Sequence, residues 1–159
     1  MLRAILVGIH TAAGVGGLLT GVWSLRPPQP TQTRRWFRRL YWLCIVALLV
    51  SVVVLVAVDW SDFDAGARVA FVALAGGLGG AMLYRLARAD REARTRTPGW
   101  EKRYIGHVYF TYVSLWIGFV VLPALNLPLP QVTVPATAVA VLAIGTVLIN
   151  RYKRRVLGA

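Results

Sequence analysis

Between Ala4 and Leu25 the chain reads AILVGIHTAAGVGGLLTGVWSL, an apolar run whose one ionisable side chain is His10. About 20 apolar residues, rising ~1.5 Å each, cross the ~30 Å hydrocarbon layer of a bilayer. Four more such stretches follow, at about 40–58, 67–86, 104–125 and 132–149. The 57% hydrophobic content is informative because it comes in blocks. A soluble domain of this length would interleave polar positions at period 2 or 3.6. Arg3 and the apolar core after it resemble the start of a signal peptide, but the run is too long and no Ala-x-Ala cleavage pattern follows. The first segment is expected to be a membrane helix, with Trp23 at its interfacial end.

The charges lie between these blocks. RPPQPTQT cannot continue the first helix, and RRWFRR (Arg34–Arg39) opens the second segment. RLARADREARTRTPGWEKR follows the third segment, prolonging its helix until Pro98-Gly99 breaks it, and RYKRR closes the fifth. A net charge of +12 invites a nucleic-acid partner, but this placement is the positive-inside pattern of membrane proteins and argues against one. Alternating five spans puts the basic residues of 26–39, 85–103 and 151–155 on one side and leaves Arg3 and Arg68 on the other. The expected fold is therefore an all-α, polytopic bundle of five transmembrane helices in which residues 1–159 form one domain. Its amino terminus lies outside and its carboxyl terminus in the cytoplasm, as a multi-pass protein of the cytoplasmic (inner) membrane.

Small residues at helical spacing mark where helices approach closely. Gly14, Gly17 and Gly21 share a face with His10 and Ala13 in the first segment. Gly76, Gly77 and Gly80 form a similar surface in the third, with Gly76 and Gly80 a GxxxG pair. The simplest pairing packs the first helix on the third. A phosphate-cradling reading of AGGLGGA fails because no Lys-Ser/Thr follows and the run lies mid-helix.

His10 and His107 are the ionisable residues within the apolar spans, and intramembrane polar groups are candidates for function. Two imidazoles from different helices of a bundle are how b-type cytochromes hold haem. Depth argues against a shared iron. His10 lies ~5 Å to the outer side of its helix midpoint and His107 ~12 Å to the inner side of its own, so ~17 Å separate them. Each is a candidate ligand or haem residue singly, or a structural histidine satisfied by a backbone carbonyl, by a Thr on a neighbouring helix or by interfacial solvent.

No span carries a carboxylate, Cys44 is the single cysteine, and no nucleophile–base pair or carboxylate dyad is available, so no catalytic residue and no metal site is assigned. Asp59, Asp62 and Asp64 lack the ligand number and glycine turn of a calcium loop and read as a solvated turn, with Asp62 or Asp64 as a cap for the next helix. Arg34, Arg35, Arg38 and Arg39, with Trp36 and Trp42 nearby, are candidate contacts for anionic lipid headgroups.

Three pieces between about residues 9 and 125, IHTAAGVGGLLTG, RRWFRRLY and HVYFTYVSLWIGFVV, resemble uncharacterised families of small multi-pass bacterial membrane proteins. The resemblance implies a helical membrane architecture and no settled activity. Arg34 and Arg38 stand where those families lead one to expect a histidine and a glycine. The leading functional expectation is a non-enzymatic bundle that binds a lipid-like or hydrophobic ligand, or serves as a subunit of a membrane assembly with a protein partner or its own copies. The alternatives are a b-type haem or quinone electron carrier using His10 or His107, and a small transporter or channel, which the lack of intramembrane charge disfavours.

Overall fold

The computed structural model describes residues 1–26, 32–124 and 130–157, and among them every regular element is helical. The elements are α1 (Leu2–Ser24), α2 (Gln32–Val58), α3 (Ala65–Val72), α4 (Gly80–Thr95), α5 (Trp100–Ala124) and α6 (Pro130–Leu157). A 3-10 turn, Trp60–Asp62, links α2 to α3, and a π-helical stretch, Ala73–Gly79, joins α3 to α4 in one continuous rod. Glycines at 76, 77 and 79 put little side chain in the way of the wider π turn. Among the described residues, two helices are long and apolar enough to cross a membrane: α1 and the Trp36–Val58 part of α2.

The helix ends differ from expectation for local reasons. α2 begins at Gln32, so Arg38 and Arg39 ride on the helix instead of preceding it; the side chains of Arg34 and Arg35 lie outside the described residues, as do the prolines Pro27, Pro28 and Pro30 and the link 125–129. α4 stops at Thr95, with Arg96 left-handed (φ 48°) and Gly99 at φ 74°. Pro98 disfavours helix at Thr97, and Gly99 takes the positive φ that a side chain would resist. Arg103 staples this turn, its guanidinium donating to Glu92 Oε2 (2.9 Å), the Pro98 carbonyl (3.0 Å) and Thr97 Oγ1 (2.6 Å). α6 starts at Pro130, where a missing N–H costs nothing.

Successive rods run antiparallel. α1 lies against α2 and α5, α4 bridges α2 and α5, and α6 packs on the outside of α5. In α1, Gly17 lets Leu115 of α5 within 3.1 Å of where a Cβ would stand. Gly21 admits the rings of Tyr112 (2.5 Å) and Tyr41 (3.1 Å). The glycine face of the first segment is therefore filled by bulky side chains of α2 and α5, and the expected pairing with the third segment is not what forms. Gly76, Gly77 and Gly80 have nothing within 4 Å of a built Cβ. The reason is rotational: Leu78, Gly79, Met82 and Leu86 turn inward, with Leu49 of α2 approaching Gly79 to 3.0 Å, which leaves the other glycines on the outer side of the rod.

The core sits toward one end of the bundle, around Tyr41, Ile45, Leu86, Ala89, Tyr104, Ile105 and Val108. Its tyrosine hydroxyls and Thr111 are matched. Thr111 Oγ1 donates to the Val108 carbonyl (2.8 Å), so the Tyr41 hydroxyl must donate to Thr111 (2.7 Å). Tyr104 donates to the Ser24 carbonyl (2.9 Å), and Tyr109 to that of Gly145. The antiparallel register brings Arg38, the 85–103 stretch and Lys153 to this same end. Arg3 and Asp59, 3.4 Å apart, mark the other.

Candidate functional site

His10 is half-buried on α1 and faces Ser51 of α2, with Nδ1 3.2 Å from Oγ. Ser51 already donates to the Leu48 carbonyl (2.8 Å), so the imidazole is the donor, carrying its proton on Nδ1 and leaving Nε2 as an acceptor. This is a satisfied interhelical contact between α1 and α2.

His107 is built differently. It lies on α5 opposite Arg85 of α4, whose Nη1 is 3.4 Å from Nδ1. A guanidinium only donates, so Nδ1 accepts and the proton of this neutral imidazole sits on Nε2. The Arg85 guanidinium lies 5.2 Å from the centroid of the Phe110 ring. Arg88, one turn on, lies 5.7 Å from that of Tyr84 and donates from Nε to the Tyr84 hydroxyl at 3.1 Å. Arg85, Arg88 and Arg103 all act electrostatically on His107, opposed by Glu92. Glu92 is engaged by Arg103.

The two histidines are far apart along the bundle. Gly17 is level with Leu115, and His10 and His107 lie on opposite sides of that level, about 22 Å apart along the helix axes. They do not share a ligand. No group of three or more His, Cys, Asp or Glu is placed to hold a metal among the described residues. Asp59 pairs with exposed Arg3.

Of the arginines expected at the headgroups, Arg38 is committed to a partner within the chain: its Nε is 3.2 Å from Asp90 Oδ1, while the Trp42 indole donates to Oδ2 at 3.1 Å. Arg39 is exposed. Sequence reading missed Asp90, which locks α2 to α4. The signal was there: Met82, Leu86, Ala89 and Ala93 carry an apolar stripe through the charged stretch, and Asp90 borders it. The grouping of Arg85, Arg88 and His107 was also missed, because it needs the register between α4 and α5.

The chain matches no protein family, no curated protein and no solved structure.

Proposed function

We propose that the chain is an integral membrane protein of five spans, with the basic end of its bundle in the cytoplasm, and that it works without catalysis by binding a lipid-like or hydrophobic ligand or as a subunit of a membrane assembly. The observation that carries this reading is how little of α1 and α2 is covered. In the most apolar window of α1, and in that of α2, only 17% of residues are buried. The core helix of a soluble protein would be mostly buried, and water would not tolerate the outward faces of Leu43, Val46, Val50 and Val53. Val69, Phe119, Val139, Leu142 and Ile144 extend the apolar surface over the other three rods. α1 lies against α2, and Gly17 and Gly21 in its second half meet Leu115 and Tyr112 of α5.

The orientation follows from gathering the basic residues at one end. The spans would then be α1, α2, the α3–α4 rod, α5 and α6. Thiol accessibility tests it in a Cys44→Ser background, with cysteines placed at Ser61 in the α2–α3 link or at Thr95 in the α4–α5 turn. Ser61→Cys should react with an impermeant maleimide in intact cells, and Thr95→Cys only after lysis. The opposite pattern, or release of the chain from membranes by alkaline carbonate, contradicts the reading. A Soret band lost in His10→Ala or His107→Ala would favour the electron carrier instead.

A further inference from the structure

We propose that Arg85, Arg88 and His107 form a binding site for the phosphate of an anionic phospholipid, on the outer face of the groove between α4 and α5. The inference rests on the membrane reading above and adds to it the site and the chemistry of its ligand.

Two arginines one turn apart, the first in contact with a histidine, need an explanation that the charge asymmetry of membrane proteins does not supply. That asymmetry asks for basic residues on one side, and it is satisfied by side chains splayed into solvent. Here Arg85 is held on the His107 imidazole and over Phe110, and Arg88 is held on the Tyr84 hydroxyl and over its ring. Among the described residues no carboxylate pairs with either arginine, and the two nearest acids on α4 are already engaged, Asp90 by Arg38 and Trp42, Glu92 by Arg103. Grouping like charges without a counter-charge is unfavourable unless an anion completes the group.

The donors left over suit a phosphate. Arg85 and Arg88 keep guanidinium N–H groups beyond those their contacts use, and His107 keeps Nε2–H. The aromatic rings hold both guanidinium groups in place before the anion arrives, which lowers the cost of ordering them. The surroundings suit a lipid more than a free ion. Tyr84 is exposed beside the cluster. Helical spacing continues the Arg88–Tyr84 line along the rod to Gly80 and Gly77, whose open surface leaves room for an acyl chain.

The test uses the full chain in mild detergent, titrated with short-chain phosphatidylglycerol, short-chain phosphatidylcholine or inorganic phosphate, and binding read by native mass spectrometry. Arg85→Gln and Arg88→Gln are compared with Arg94→Gln, an exposed arginine of the same helix. The wild type and Arg94→Gln should bind phosphatidylglycerol alike, and each of the other two variants should bind it about fivefold more weakly. Equal binding in all four proteins overturns the site, as does equal affinity for phosphatidylcholine. Inorganic phosphate displacing the lipid at matched concentration would make the ligand a free phosphate and overturn the lipid assignment. A chain that alkaline carbonate strips from membranes would defeat the membrane reading itself, whereas a retained chain with unchanged affinities defeats the site alone.

Discussion

The basic half of the bundle and the half around Arg3 and Asp59 use the same kind of helix but fill the space between helices differently. In the basic half, tyrosines are buried between rods, their hydroxyls reach a threonine and backbone carbonyls, and Asp90 ties α2 to α4. In the other half the contacts thin out: Gly76, Gly77, Gly80 and Gly118 meet nothing within 4 Å, and Val69 and Val72 are exposed. Helices in lipid gain nothing from hydrophobic burial against one another, since acyl chains are as apolar as leucine. Shape-matched packing and interhelical hydrogen bonds therefore decide which half is rigid, and here both are concentrated in one half.

One glycine-to-alanine pair exposes the contrast most sharply. Gly21→Ala puts a methyl 2.5 Å from Tyr112 and 3.1 Å from Tyr41, so two rings must shift at a cost of about 1–3 kcal/mol. Gly77→Ala meets nothing and should stay within about 0.5 kcal/mol of wild type. Thermal unfolding in detergent reads both, and equal losses would erase the difference between the halves. Asp90→Ala comes next, at about 1–2 kcal/mol, because Arg38 and Trp42 lose their acceptor while partial exposure lets water replace it. Tyr41→Phe should cost about 1 kcal/mol, and adding Thr111→Val should cost less than the sum of the two single changes, since both belong to one chain of hydrogen bonds. Ser51→Ala removes the His10 partner in the open half and should cost only about 0.6 kcal/mol. A larger loss there would mean that His10 matters to stability more than its half-buried contact implies.

Much of this was written in the run lengths. The apolar runs at 4–25 and 40–58 became helices long and apolar enough to cross a membrane, and Pro98-Gly99 did end the rod that crosses the charged stretch. Neighbours were harder to read. A glycine spacing says that something comes close, not what: Gly17 and Gly21 receive Leu115, Tyr112 and Tyr41, and no glycine face opposite. The start of α2 was placed late because arginines at 34–39 were taken as interface, although a polar residue does not end a helix. The π turn left no periodic trace, since glycines carry no pattern. The Arg85–His107 contact depends on a register set by the Arg96–Gly99 turn, which no local spacing encodes.

The central claim is that α2 is bathed in lipid on one face and packed on the other. Nitroxides placed one at a time along α2 in the Cys44→Ser protein, reconstituted in vesicles, report it through collisions with oxygen and with a water-soluble nickel chelate. The account predicts high oxygen and low nickel access at Leu43, Val46, Val50 and Val53, and little of either at Tyr41 and Ile45. Nickel access at Val46 and Val50 equal to that of a nitroxide at exposed Ser61 would mean that this face meets water, and the account would fall.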